Sequence, residues 1–168
     1  NGGRWGLGSN SINFIDLLFF FKNNFKLIVT DKKLHNRIYK SKRKGYYEFG
    51  GTIEIKSNKG DKIILKDNMK NNESLTLSIS YSNKKYIFNY SDGSLNYFKN
   101  KKIISSNEFK PIFQSNITNK IIQDIFKYKT CALASLKDSK NSHKVIVDYL
   151  SDHSNKLHNT KNKIYHIT

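Results

Sequence analysis

Two alternating segments, GTIEIK at 51–56 and DKIILK at 61–66, are separated only by Ser57-Asn58-Lys59-Gly60. Side chains two apart in a strand share a face, so this pattern predicts an antiparallel hairpin with one apolar side. A period of two persists through the middle of the chain. Residues 75–81 alternate Leu, Leu, Ile and Tyr against Thr and Ser, and 85–90 follow a Ser-Asn-Lys turn. Asp92-Gly93 then leads to 95–98 and to Ile103-Ile104. The expectation is a central, mainly antiparallel sheet of five or six strands, with Ile, Leu and Tyr on one face and Lys, Ser and Thr on the other.

Helical spacing flanks this region. Phe14, Leu17, Leu18 and Phe21 fall at i, i+3, i+4 and i+7, which predicts a first helix over 14–25 capped by Ser11 or Asn13. Asp31 is read as the cap of a second helix over 31–40, with Leu34 and Ile38 on one face. Residues 117–136 predict a long helix near the C-terminus, with Ile121, Ile122, Ile125 and Phe126 as its stripe and Cys131 continuing it. Residues 143–149 (HKVIVDY) read as a buried strand and 163–167 as a short terminal one. The whole is read as a single α+β domain over 1–168, its glycine-rich residues 1–10 forming a flexible arm.

Composition narrows the function. Apolar residues make up 37% of the 168 positions and aromatics 13%, enough for a real core. No apolar run is long enough to span a bilayer. Cys131 is the only cysteine, which excludes an internal disulfide and a multi-thiolate zinc site. The formal charge is +17, and only Arg4, Arg37 and Arg43 are arginine. An AT-rich coding sequence enriches lysine but does not explain why acids are few, so the expected partner is anionic, with nucleic acid foremost. Asn1 at the start, with Met69 the only methionine, reads as a processed product or a domain cut from a longer chain. No secretory signal is recognised, and localisation stays open.

Glu54-Ile55-Lys56 places an acid and a lysine on one face of a strand, six residues after Glu48. Phosphodiester hydrolysis uses that combination: carboxylates such as Glu48 and Glu54 to hold Mg²⁺, and a lysine such as Lys56 beside the attacking water. Residues 48–56 resemble the core of the PD-(D/E)xK nuclease superfamily, which includes restriction endonucleases and toxin domains, with Asp16 as a further acid on the preceding helix. The resemblance implies an Mg²⁺-dependent nuclease with an acidic inhibitor or immunity protein as a partner. The first acid here is Glu where that family usually has Asp, and no proline precedes it.

Five histidines, His35, His143, His153, His158 and His166, offer metal-free chemistry. A general base and acid near neutrality suffice for attack by a ribose 2′-hydroxyl. An early helix, a sheet bearing Glu48 or Glu54 and a late strand bearing His166 look like the arrangement of the small microbial ribonucleases, with His143 and His166 as the alternative catalytic pair. For nucleic-acid contact the candidates are Lys40, Lys42, Arg43 and Lys44 in one loop, and Lys84 and Lys85 on the strands. Tyr81, Tyr86, Tyr90, Tyr97 and Phe98 lie among Lys84, Lys85, Lys99, Lys101 and Lys102, the composition of a stacking platform for single-stranded RNA. A non-enzymatic RNA-binding protein, such as a ribosomal component, is the alternative to a nuclease. The glycines at 2, 3, 6 and 8 lack the preceding strand and the lysine of a phosphate-cradling nucleotide loop.

Overall fold

A computed structural model of the chain describes residues 1–21, 26–41, 43–70, 73–110, 112 and 114–160. In chain order its elements are α1 (Leu7–Phe21), β1 (Leu27–Leu34), β2 (Tyr39–Lys40), β3 (Tyr47–Glu48), β4 (Gly51–Ser57), β5 (Lys62–Asp67), β6 (Thr76–Tyr81), β7 (Lys84–Asn89), β8 (Ser94–Lys99), β9 (Lys102–Glu108), α2 (Gln114–Tyr128) and α3 (Leu136–Leu157). The class is α+β with antiparallel sheets, as the periodicities predict. The chain divides into two compact units, one of Asn1–Glu73 with Leu136–Thr168 and one of Ser74–Ser135.

In the first unit β1, β4 and β5 form a sheet in the order β1-β4-β5, and β2 and β3 form a separate hairpin. The expected β4–β5 pairing is present, with Ile53 opposite Leu65 and Ile55 opposite Ile63. Ile53 and Ile55 bury one face of β4 against Leu7 and Ile15 of α1 and Ile146 and Leu150 of α3. Burying each such side chain contributes roughly 1.5–3 kcal/mol. Glu54, between the two isoleucines, therefore points to the other side of the sheet.

The two helices meet along stripes that include serine. Ser11, Ser142 and Ser154 are fully buried, alternating along their helices with Leu7, Ile15, Ile146 and Leu150. The Ser142 hydroxyl donates to Asp16 Oδ1 at 2.6 Å. That accounts for one correction: residues 143–149, read as a strand, lie inside α3. Its buried positions, Ser142, Ile146, Tyr149, Leu150 and Ser154, recur at helical three- and four-residue spacing, while Val147 is exposed. On α1 the buried face is likewise Leu7, Ser11 and Ile15 rather than the predicted stripe, of which Phe21 is 60% exposed.

Three further expectations change. Residues 31–40 are not a helix; β1 pairs antiparallel with β4 over Leu27 to Leu34, and this long-range pairing outweighs the local helical spacing. Residues 1–10 are not a free arm, because 7–10 open α1 and the preceding loop is fastened to β5. Gly2 bridges to Asp67 in parallel, and the Trp5 indole N–H donates to the Lys66 carbonyl at 2.8 Å. The helix expected over 117–136 is α2, which stops at Tyr128; Lys129 follows with φ 57°, its N–H bonded to the Ile125 carbonyl, a left-handed cap that leaves Cys131 outside the helix. The strand expected at 163–167 lies outside the described residues.

In the second unit β6, β7, β8 and β9 form a four-stranded antiparallel meander in sequence order. The Asp92-Gly93 turn signal sits where expected, between β7 and β8. No described helix is long and apolar enough to cross a membrane.

Candidate functional site

Glu48 and Glu54 lie on different sheets. Glu48 is buried on β3, where its carboxylate caps α1: it accepts the Gly8 and Ser9 N–H groups at 2.8 and 3.3 Å and the Ser9 hydroxyl. An anion at a helix N-terminus satisfies donors that have no partner within the helix. Glu54 stands on the sheet face away from α1, paired with Lys62 at 2.6 Å and Lys56 at 3.5 Å. Each carboxylate is thus taken up by its own partners, Glu48 on the β2–β3 hairpin and Glu54 on the β1-β4-β5 sheet, and no group of three or more His, Cys, Asp or Glu side chains placed to hold a metal occurs among the described residues.

Hydrogen bonding to Lys62, together with the charges of Lys62 and Lys56, holds the Glu54 carboxyl below the usual carboxylate range. A lowered value in the folded state means that the pair stabilises the fold at neutral pH and that this contribution is lost as pH falls through the lowered value. We expect an NMR titration of Glu54 to give a midpoint below that of a free glutamate, and Lys62→Met to move it back up. An unchanged midpoint in that variant would remove Lys62 as the cause.

The other expected site residues are dispersed. Lys40 lies at the end of β2, and Arg43 and Lys44 occupy the exposed turn before β3; the Arg43 guanidinium sits over the Tyr46 ring at 5.2 Å. Lys42 and His166 lie outside the described residues. His143 is exposed on α3. Lys84 and Lys85 are exposed on β7 in the second unit, beside a concavity of about 680 Å³.

The first unit does assemble a site that the sequence reading did not single out. Tyr39 on β2 is the direct cross-strand partner of Glu48. Its hydroxyl lies 2.5 Å from His35 Nδ1, and the Arg37 guanidinium sits over its ring at 4.6 Å. His35 is held from three sides. Its backbone N–H donates to the Gly50 carbonyl at 2.9 Å, and its own carbonyl accepts from His153 Nε2 at 3.1 Å. A carbonyl only accepts, so His153 carries its proton on Nε2. The third constraint is Gly50: a Cβ there would stand 2.7 Å from His35 Nδ1, so only glycine lets the imidazole lie this close. Gly51 follows with φ 118°, a conformation that favours glycine. A phenol joined to an imidazole in a half-buried setting is a pair through which a proton can pass in either direction.

Asp67 is the second buried carboxylate of this region. It is fully buried and accepts N–H groups from Arg4 at 2.7 Å, Gly6 at 3.2 Å and Met69 at 2.8 Å. Glycine-rich residues 2–8 are therefore locked by Asp67 and Glu48.

No protein-family model matches the chain, and no curated protein matches it in sequence. Among solved structures it is similar to a protein of Desulfitobacterium hafniense provisionally assigned as an NADPH-dependent oxidoreductase, with a TM-score of 0.56 and 10% identity over 86% of this chain and 47% of that one. The chain thus spans about half the length of that oxidoreductase. At this identity the likeness is one of fold.

Proposed function

We propose that the chain is part of an NADPH-dependent oxidoreductase, the part that does not hold the nucleotide, and that Tyr39 and His35 handle the proton of its reaction. The observation that carries the reading is the fold likeness, which covers 86% of this chain but 47% of the D. hafniense protein. A fold hosts many functions, so the residues have to agree with it independently.

Two features support it. A nucleotide diphosphate is held by free N–H groups of a glycine-rich turn and the helix N-terminus behind it. Here the N–H groups of Gly8 and Ser9 are taken by Glu48, and those of Arg4 and Gly6 by Asp67. The N–H groups of this turn are therefore not free for a nucleotide, and on this reading the nucleotide is held elsewhere. The Tyr39–His35 pair, by contrast, matches what a substrate oxygen needs when a carbonyl becomes an alcohol: a phenol able to give a proton and an imidazole able to replenish it. Phosphodiester cleavage by Glu48, Glu54 and Lys56 around Mg²⁺ has less behind it, because Glu48 is occupied as a helix cap and Glu54 is paired with Lys62 and Lys56.

Calorimetric titration separates these readings. NADPH added to the 168-residue chain should give no binding heat, whereas the intact polypeptide in which the sequence occurs should bind it in the range of about 1 μM to 1 mM typical of enzyme ligands. Binding of NADPH by the 168-residue chain itself would contradict the proposal.

A further inference from the structure

We propose that the end row of the four-stranded sheet, Tyr81, Lys84, Lys99 and Lys102, binds single-stranded nucleic acid, its ammonium groups on phosphates and its phenol ring under a base. The register builds this row: Tyr81 lies opposite Lys84, Lys84 opposite Lys99, and Lys99 opposite Lys102. Directly opposed residues of antiparallel strands share a face, so three lysines and one tyrosine form a line across four strands. Like charges in such positions repel, and the row destabilises the free sheet unless an anion lies over it. No carboxylate among the described residues pairs with these lysines. The acids of this sheet, Asp92 and Glu108, sit at its other end, in the β7–β8 turn and opposite Ser94.

The surroundings extend the same chemistry. Tyr81 is 71% exposed, and Tyr86 and Tyr97, one row further in on the same face, stack at 4.9 Å with 16° between their planes. The adjacent row, Ser80, Lys85 and Phe98, faces the opposite side and lines the concavity, whose rim is shared by Lys84, Lys101 and the hydrogen-bonded Asn83 and Asn100 amides at the sheet end. Lysines on both sides of one sheet end, with aromatic rings beside them, suit a flexible strand that carries phosphates and unstacked bases. A duplex, whose bases are already stacked, has nothing to offer Tyr81.

The test is a fluorescence anisotropy titration of the whole protein with a labelled oligouridylate of about a dozen nucleotides, at roughly 50 and 200 mM salt. Joint replacement Lys84→Gln, Lys99→Gln and Lys102→Gln should weaken binding about tenfold or more at low salt and flatten the log K against log salt slope by about 2, three contacts at about 0.7 each. Its melting temperature should not fall, because opposed like charges have been removed. Tyr81→Ala should weaken binding about fivefold or more without altering that slope. A variant slope equal to that of the parent protein, an unchanged affinity in Tyr81→Ala, or binding of duplex or inorganic polyphosphate as tight as that of the oligouridylate would each overturn the proposal.

Discussion

Asp67→Ala is expected to destabilise the protein by about 3–5 kcal/mol, because three backbone donors lose their acceptor together and each unsatisfied group costs about 1–3 kcal/mol. The donors are the N–H groups of Arg4, Gly6 and Met69, and the carboxylate that holds them is fully buried. The damage should spread beyond the loop. Gly6 supplies the carbonyl that accepts the Asn10 N–H in the first turn of α1, so loosening residues 2–6 also loosens the start of the helix. Urea denaturation read by circular dichroism measures the effect as a lower midpoint at unchanged slope. Asp67→Asn keeps one carbonyl oxygen and should fall between the two proteins. A loss below about 1 kcal/mol for the alanine variant would mean that these donors find other partners, contrary to the locked loop described above.

The local patterns of the chain were readable where the partner lies close in sequence. The β4–β5 hairpin and the β6 to β9 meander each announce themselves through alternation and turn residues such as Asp92-Gly93, since strands joined by short turns carry their register with them. α3 was hidden by its own composition. Serines at 142 and 154 hold core positions, and the Val145-Ile146-Val147 run imitates a strand, so only the three- and four-residue recurrence of burial reveals the helix. β1 is obscured for the opposite reason. Leu34 and Ile38 have helical spacing, yet the segment is fixed by pairing with β4, a contact that no local window contains.

The candidate site was less legible still. Glu48 reads from the sequence as a candidate Mg²⁺ ligand, whereas in the fold its partners, Gly8 and Ser9, lie about forty positions away and take it as a helix cap. His35 and Tyr39 are four residues apart, which a helix would also bring together; here a strand end and a hairpin do so instead, and Gly50 makes room for the ring. The available signal is the Gly50-Gly51 pair after buried Phe49, since consecutive glycines where a strand begins mark a close approach. The lysines of β7, β8 and β9 were visible as composition, whereas their alignment into one row depends on register.

The direct measurement of the central claim is NADPH oxidation by the intact polypeptide in the presence of carbonyl substrates, with Tyr39→Phe compared against the parent protein. Removing a general acid from proton transfer lowers turnover by about 10²–10⁴-fold. Tyr39→Phe keeps the ring beneath the Arg37 guanidinium and deletes only the hydroxyl that meets His35. The account predicts a loss of kcat of that size, with NADPH affinity unchanged. Full turnover by Tyr39→Phe, or no NADPH oxidation by the intact polypeptide with any carbonyl substrate, would contradict it.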